Sequence, residues 1–226
     1  MAGSSYECID AVSHELRTPL SGLRGYVDLL LSGATGPVPD EHRTALAAIN
    51  QCSHRLETVT ENLLLLAEAQ TTGLRLVRTE VDLAPVLHRV RGLLATLYGT
   101  VEVCVAAGVP APVPADPGRL ERALVNIVGN AVKFSPAGGS VRVHAGRDGT
   151  GVVVTVADQG IGIPAGEQPR VFQPLFTASN AVARRLNGAG LGLVVARLIA
   201  RAHGGQLVVG SVQDAGTTVR LVLPLS

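Results

Sequence analysis

Four short segments hold residues whose types and spacing could do chemistry. The first is Ser13-His-Glu-Leu-Arg-Thr-Pro-Leu20. On a helix His14 and Thr18 are neighbours on one face, and Ser21, Gly22 and Gly25 continue that face with small side chains. An imidazole there is open to approach. Glu15 could accept a hydrogen bond from it, fixing the tautomer and leaving the other ring nitrogen nucleophilic. Taken alone, His14 also reads as a surface histidine; His42, His54, His88, His144 and His203 lack such surroundings and read as structural or surface. The second segment is Asn126-Ile-Val-Gly-Asn130-Ala-Val-Lys133-Phe-Ser135, which places Asn126, Asn130 and Lys133 on one helical face. Two amide oxygens and an ammonium suit a Mg²⁺-bound phosphate chain, because that hard cation takes oxygen ligands. Asparagine is a poor mid-helix residue, so two of them call for a reason beyond a polar outer face.

The third segment, Asp158-Gln-Gly160-Ile-Gly162-Ile-Pro, closes an apolar run. Asp158 could accept from the exocyclic amine of a base, while Gly160 and Gly162 let backbone approach a ligand; alone, the segment reads as a strand-to-loop turn. The fourth, Gly188-Ala-Gly190-Leu-Gly192-Leu, leads into a helix, where free N–H groups and the positive dipole end suit an anion. It has neither the third glycine of a dinucleotide fingerprint nor a Walker lysine. Between the last two segments, Gln173 to Asn187 is polar and small, with Arg184 and Arg185, and reads either as a basic lid or as a loop.

These segments must be positioned by elements that the hydrophobic pattern outlines. Ile9, Val12, Leu16, Leu20, Leu23, Val27 and Leu30 form a helical stripe. Ser32 to Pro39, with two glycines and two prolines, breaks it, and Asp40 caps a second helix striped by Leu46, Ile49, Leu56, Val59, Leu63 and Leu66. Such a pair makes an antiparallel hairpin that needs a second copy, as a dimeric four-helix bundle, to cover its apolar flanks. Beyond it, Leu83–Tyr98, Arg119–Val132 and Leu191–Ala202 read as helices. Val101–Val105, Val141–Ala145, Val152–Val156, Gln206–Val212 and Thr217–Leu223 read as strands, and the four-proline stretch Gly108–Gly118 as a loop. That order suggests a two-layer α/β sandwich over a mixed sheet.

Charge changes where the pattern changes. Residues 1–72 carry four arginines against nine acids, net −5, while residues 73–226 carry net +6. This predicts two domains, 1–72 and 73–226, whose charges nearly cancel in the chain's +1. The balance argues against a general nucleic-acid binder. No uncharged apolar run reaches the roughly 20 residues of a membrane span, and no signal peptide is evident. Cys8, Cys52 and Cys104 are too scattered for a disulfide framework or a zinc site, which suits the cytoplasm. Of 19 basic residues only Lys133 is a lysine.

The four segments, in this order, resemble the H, N, G1 and G2 boxes of sensor histidine kinases. Phe172-Gln-Pro-Leu-Phe176 resembles their F box, and Ala202-His-Gly-Gly-Gln and Gly216-Thr-Thr-Val-Arg-Leu-Val-Leu-Pro resemble their C-terminal end. Leu175 stands where many relatives carry phenylalanine, Gln173 where many carry glutamate and Ala189 where threonine is usual. The resemblance implies a dimerisation and phosphotransfer hairpin followed by a Bergerat-type ATP-binding domain. It implies His14 as phosphoacceptor, Glu15 as its base, and Thr18 as the residue that positions water when a partner is dephosphorylated. Asn130, with Asn126 close by, would ligate Mg²⁺, and Lys133 would touch phosphate. Asp158 would bind the adenine amine, Gly160 and Gly162 would shape its pocket, and Gly188, Gly190, Leu191 and Gly192 would frame the lid and phosphates. The implied partners are a second copy and a response-regulator receiver domain. With His14 so near the start, the expectation is the cytoplasmic catalytic part of a longer sensor rather than a small stand-alone kinase. Two other readings are a Bergerat-type ATPase that works by conformational change and a phosphatase-dominant docking module. The first of these would usually have glutamate, not Asn126, as the base for water.

Overall fold

Gly33 and Gly36 adopt positive φ angles of 76° and 120°, and between them the chain turns out of its first helix. In a computed structural model the described residues are 18–19, 21–23, 25–71, 73–98, 102–105, 112–149, 151–184, 186 and 188–225. They divide into two compact units, Met1–Gly73 and Leu74–Ser226. In the first, the described residues between 18 and 31 are all helical (α1), and α2 spans Asp40–Thr71. Asp40 and Glu41 sit in the first turn of α2, where the helix dipole favours them. Asp28, which interrupts an apolar run, accepts from Asn50 Nδ2 at 3.1 Å and so ties α1 to α2. Val27 and Leu65 are buried, but Leu23, Leu30, Ile49, Leu56 and Leu63 remain exposed. No helix among the described residues is long and apolar enough to cross a membrane.

The second unit is a two-layer α/β sandwich. A five-stranded sheet runs in the order β2 (Glu102–Val105), β4 (Ser140–Asp148), β5 (Gly151–Ala157), β7 (Gly216–Pro224), β6 (Gln206–Val212). Only the β2–β4 pair is parallel. Along β4 the alternation is clean: Val141, Val143 and Ala145 are buried, while Arg142 and His144 face out. The core is completed by α3 (Leu83–Tyr98), α4 (Pro117–Phe134) and α6 (Gly192–Ala202), through Leu83, Leu87, Leu120, Leu124, Ile127, Val195 and Ile199. The β4–β5 hairpin turns at Gly149, φ 58°.

Two stretches differ from the sequence reading. The proline-rich stretch is not all loop: β3 (Val113–Ala115) pairs antiparallel with β1 (Thr79–Val81), and α4 already begins at Pro117. Val113 and Ala115 are fully buried, and Pro114 is tolerated because a two-stranded ribbon leaves its nitrogen side unpaired. Pro117 suits a first helical turn, where its missing N–H costs nothing. Within Gln173–Asn187 lies a short helix, α5 (Ser179–Ala183), preceded in the chain by a 3₁₀ turn at Ala165–Arg170.

The two helices that carry the second and fourth segments are joined at their ends. Asp116 caps α4, its Oδ1 accepting from Arg119 N–H at 3.0 Å and its Oδ2 from Val77 N–H at 2.9 Å. Burial opposes ionisation of Asp116, but these amides and the Arg119 charge outweigh it and hold its carboxyl below the usual range. The Asp116 N–H donates to His203 Nε2 at 3.0 Å, and His203 Nδ1 lies 2.8 Å from the Ile199 carbonyl. That pattern fits only the Nδ1–H tautomer. His203, only 2 % exposed, is therefore a strut between the start of α4 and the end of α6.

Candidate nucleotide site

Asn126, Asn130 and Lys133 follow one face of α4 at the expected spacing. What they face explains why asparagines are tolerated mid-helix. A β-carbon on Gly192, the first residue of α6, would lie 3.3 Å from Asn126 Oδ1 and 3.3 Å from Asn130 Nδ2. One on Gly188 would land on Lys133 Nζ. Two motifs far apart in sequence are thus opposed, with only hydrogens between the glycine backbone and the polar face. Lys133 also places its ammonium 4.9 Å from the centroid of the Phe134 ring. The α6 N-terminus carries no capping side chain, since Leu191 is its N-cap residue and is buried. The amide oxygens, the ammonium and the glycine cradle fit a hydrated hard cation with phosphate oxygens. Among the described residues no cluster of three His, Cys, Asp or Glu side chains forms a rival metal centre.

The approach to this cradle is strapped. Gly190 takes φ 64°, and a β-carbon there would meet the Phe176 carbonyl oxygen at 2.5 Å. The Leu175 N–H donates to the Gly190 carbonyl at 3.1 Å, and Thr177 Oγ1 to the Gly188 carbonyl at 3.4 Å. Arginines stack on both phenylalanines of the strap. Arg197 lies 4.3 Å from the Phe172 centroid and donates to the Phe172 carbonyl, and Arg170 lies 4.5 Å from the Phe176 centroid.

Asp158 follows β5, and one of its oxygens is committed. Oδ1 accepts from Gly160 N–H at 2.8 Å and Thr217 N–H at 3.1 Å, while the Asp158 N–H donates to the Thr217 carbonyl at 2.9 Å. Oδ2 has no hydrogen-bond partner among the described residues, which leaves it for an amine donor. Burial pushes the Asp158 carboxyl above its usual range, partly offset by those two amides. The folded unit thus holds this proton more tightly than the unfolded chain. Ionisation costs stability above the raised value, and the cost is relieved as pH falls below it. The loop after Asp158 is clamped on both sides. Ile161 N–H donates to the Phe134 carbonyl at 3.2 Å, and the Ile161 carbonyl accepts from Asp214 N–H at 2.8 Å. A β-carbon on Gly160 would strike the Phe134 carbonyl, and one on Gly162 the Val212 carbonyl.

The described structure therefore brings Asn126, Asn130 and Lys133 together with Gly188 and Gly192, and joins the Asp158–Gly160–Gly162 loop to the end of the same helix. Thr18 is exposed on α1. His14 and Glu15 lie outside the described residues. In the basic stretch, Arg184 is paired with Asp214 at 2.6 Å, and Arg185 lies outside the described residues. The sequence reading did not single out Thr217 or Asn180, whose partners lie 59 and 19 residues away.

Comparison with known proteins follows the same division. The family model of the histidine kinase-, DNA gyrase B- and HSP90-like ATPases matches residues 115–226, and that of the His Kinase A (phospho-acceptor) domain matches residues 5–72. The chain is 34% identical to the histidine protein kinase DivJ of Caulobacter vibrioides over 95% of its own length and 36% of DivJ. It is 30% identical to the sensor histidine kinase WalK of Bacillus subtilis, covering 96% of this chain and 36% of WalK. It thus spans about a third of the length of these curated relatives. Among solved structures, full-length ShkA in complex with AMPPNP matches with a TM-score of 0.73 at 30% identity, over 97% of this chain and 46% of ShkA. The mycobacterial sensor histidine kinase MprB matches with a TM-score of 0.59 at 34% identity, over 65% of this chain and 97% of that one.

Proposed function

Because this chain belongs to the sensor histidine kinases, we propose that it transfers the γ-phosphoryl group of ATP to His14 and then to an aspartate of a response-regulator receiver domain. The observation that carries this reading is the opposition of Gly188 and Gly192 to Lys133, Asn126 and Asn130, one loop away from the half-free carboxylate of Asp158. Asp158 Oδ2 takes the adenine amine, and Gly160 and Gly162 admit the base. Gly188, Gly190 and Leu191 carry the backbone around the phosphates to Gly192. Asn130, with Asn126 beside it, would hold Mg²⁺, which when bound supplies neutralisation of phosphate charge. Lys133 adds a point charge that a mobile phosphate can follow.

In the reaction a ring nitrogen of His14 attacks the γ-phosphorus as the bond to the bridging oxygen of ADP breaks, and Glu15 receives the imidazole proton. The receiver carboxylate then takes the phosphoryl group from that nitrogen. Run the other way, Thr18 orients a water toward the phosphorylated partner. The homodimer is supported by Ile49, Leu56 and Leu63 on α2, which repeat every seven residues and stay exposed in the single chain. The chain works as the catalytic part of a longer, cytoplasm-facing sensor.

The test is incubation with γ-labelled ATP and Mg²⁺, then addition of a purified receiver domain. An acid-labile, base-stable label that moves onto the receiver is the expected result. No label, or an acid-stable one, sinks the proposal. Lys133→Ala should weaken ATP binding about tenfold, the loss of one charge-assisted contact. A change of less than twofold by fluorescence titration would remove Lys133 from the site.

A further inference from the structure

Helix α5 has five residues, too few to hold itself by its own hydrogen bonds. It is pinned at three points. At its start Glu167 Oε2 accepts from Ser179 N–H at 2.9 Å, and just past its end the Arg184 guanidinium meets the Asp214 carboxylate. Ser179, Arg184 and Asp214 are exposed, and contacts of that kind stabilise little. The middle pin is different. Asn180 Nδ2 donates to two carbonyls of the base-side loop, Ile161 at 3.1 Å and Gly162 at 3.0 Å. Only the NH₂ end of the amide can face two carbonyl oxygens. This orientation leaves Asn180 Oδ1 buried without a hydrogen-bond partner among the described residues, a cost that the two bonds must outweigh.

One amide therefore joins two parts of the site. On one side is the loop that follows Asp158. On the other is the helix from which the chain runs to Gly188 and Gly190, the glycines set against Lys133 and the Leu175–Phe176 strap. We propose that Asn180 is a positioning residue that couples occupancy of the base-side loop to the order of the phosphate-side segment. The coupling rests on the nucleotide reading above. It is reciprocal, so whatever steadies Ile161–Gly162 steadies α5, and the converse.

Asn180→Asp and Asn180→Ala, made in the full chain, test this. The aspartate variant keeps the size of the side chain but turns a double donor into an acceptor facing two carbonyls. ADP affinity, read with a fluorescent ADP analogue, should fall about tenfold in the alanine variant and further in the aspartate variant. Hydrogen exchange of residues 179–183 should slow on adding ADP to the wild type. In both variants it should not slow even at saturating ADP, while the amides of β5 exchange as in wild type and report an intact fold. A space-filling role predicts the opposite order, with the aspartate variant near wild type. That order, or ADP protection of α5 surviving in the variants, overturns the coupling. A wild type that binds no ADP overturns the nucleotide reading and the coupling together, so the two failures are told apart by the wild-type arm.

Discussion

Gly162→Ala should destabilise the second unit by about 2–5 kcal/mol and abolish nucleotide binding along with it. Two costs combine. Gly162 sits at φ 58°, where a side chain costs about 1–2 kcal/mol. Its β-carbon would also strike the Val212 carbonyl, adding an overpacking cost of about 1–3 kcal/mol. Neither wall can retreat cheaply. Val212 is laddered to Gly216 across the β6–β7 pair, and the Gly162 carbonyl is held by Asn180. The matched control is Gly149, which has the same φ of 58° but nothing within 4 Å of its β-carbon position. Gly149→Ala should show the conformational cost alone. Chemical denaturation of both variants isolates the steric part, and equal losses would mean that the Gly162 loop is not clamped against the β6–β7 turn.

The same contrast shows what a sequence can reveal. Helix α3 and strand β6 were legible to their end residues, because each carries its own periodicity. The face shared by Asn126, Asn130 and Lys133 was legible for the same reason, since helical geometry fixes it within one segment. Gly188 and Gly192 could be read as glycines near an anion, but not as the glycines that oppose this face. That depends on α4 and α6 being braced by His203, which the sequence offered only as a structural or surface residue. The role of Thr217 was hidden because the β5–β7 register, with Ala157 opposite Thr218, sets it. Strands β1 and β3 were hidden because three residues are too few to show alternation, and two prolines flank Val113. Asn180 gave no signal, since one asparagine in a polar stretch looks like solvent-facing loop. The lone lysine is the intermediate case. Its identity was conspicuous in composition, but its meaning needed Gly188 beside it.

His14→Gln should remove the acid-labile phosphate, a fall of roughly a thousandfold or more, while leaving ADP affinity within twofold of wild type. The glutamine amide nitrogen has its lone pair delocalised into the carbonyl, so it cannot form the phosphorus–nitrogen bond that defines the intermediate. The groups assigned to the nucleotide lie in the second unit, so binding has no reason to change. Asn130→Ala should fail differently, losing label and nucleotide affinity together, because its amide belongs to the cradle opposite Gly192. The pair of variants separates acceptor from donor site, which neither does alone. It also discriminates among histidines. His42, His88 and His144 are exposed, so each could be labelled adventitiously, whereas His203 is buried with both ring nitrogens engaged. An acid-labile label that persists in the His14→Gln variant, mapped to one of those three, would move the phosphoacceptor away from the helical face shared with Thr18. Unchanged ATP hydrolysis with no label in either protein would instead favour an ATPase that works through conformation. In that case water, not an imidazole, would meet the γ-phosphorus, and Asn126 could not act as its base, because a neutral amide cannot take up its proton.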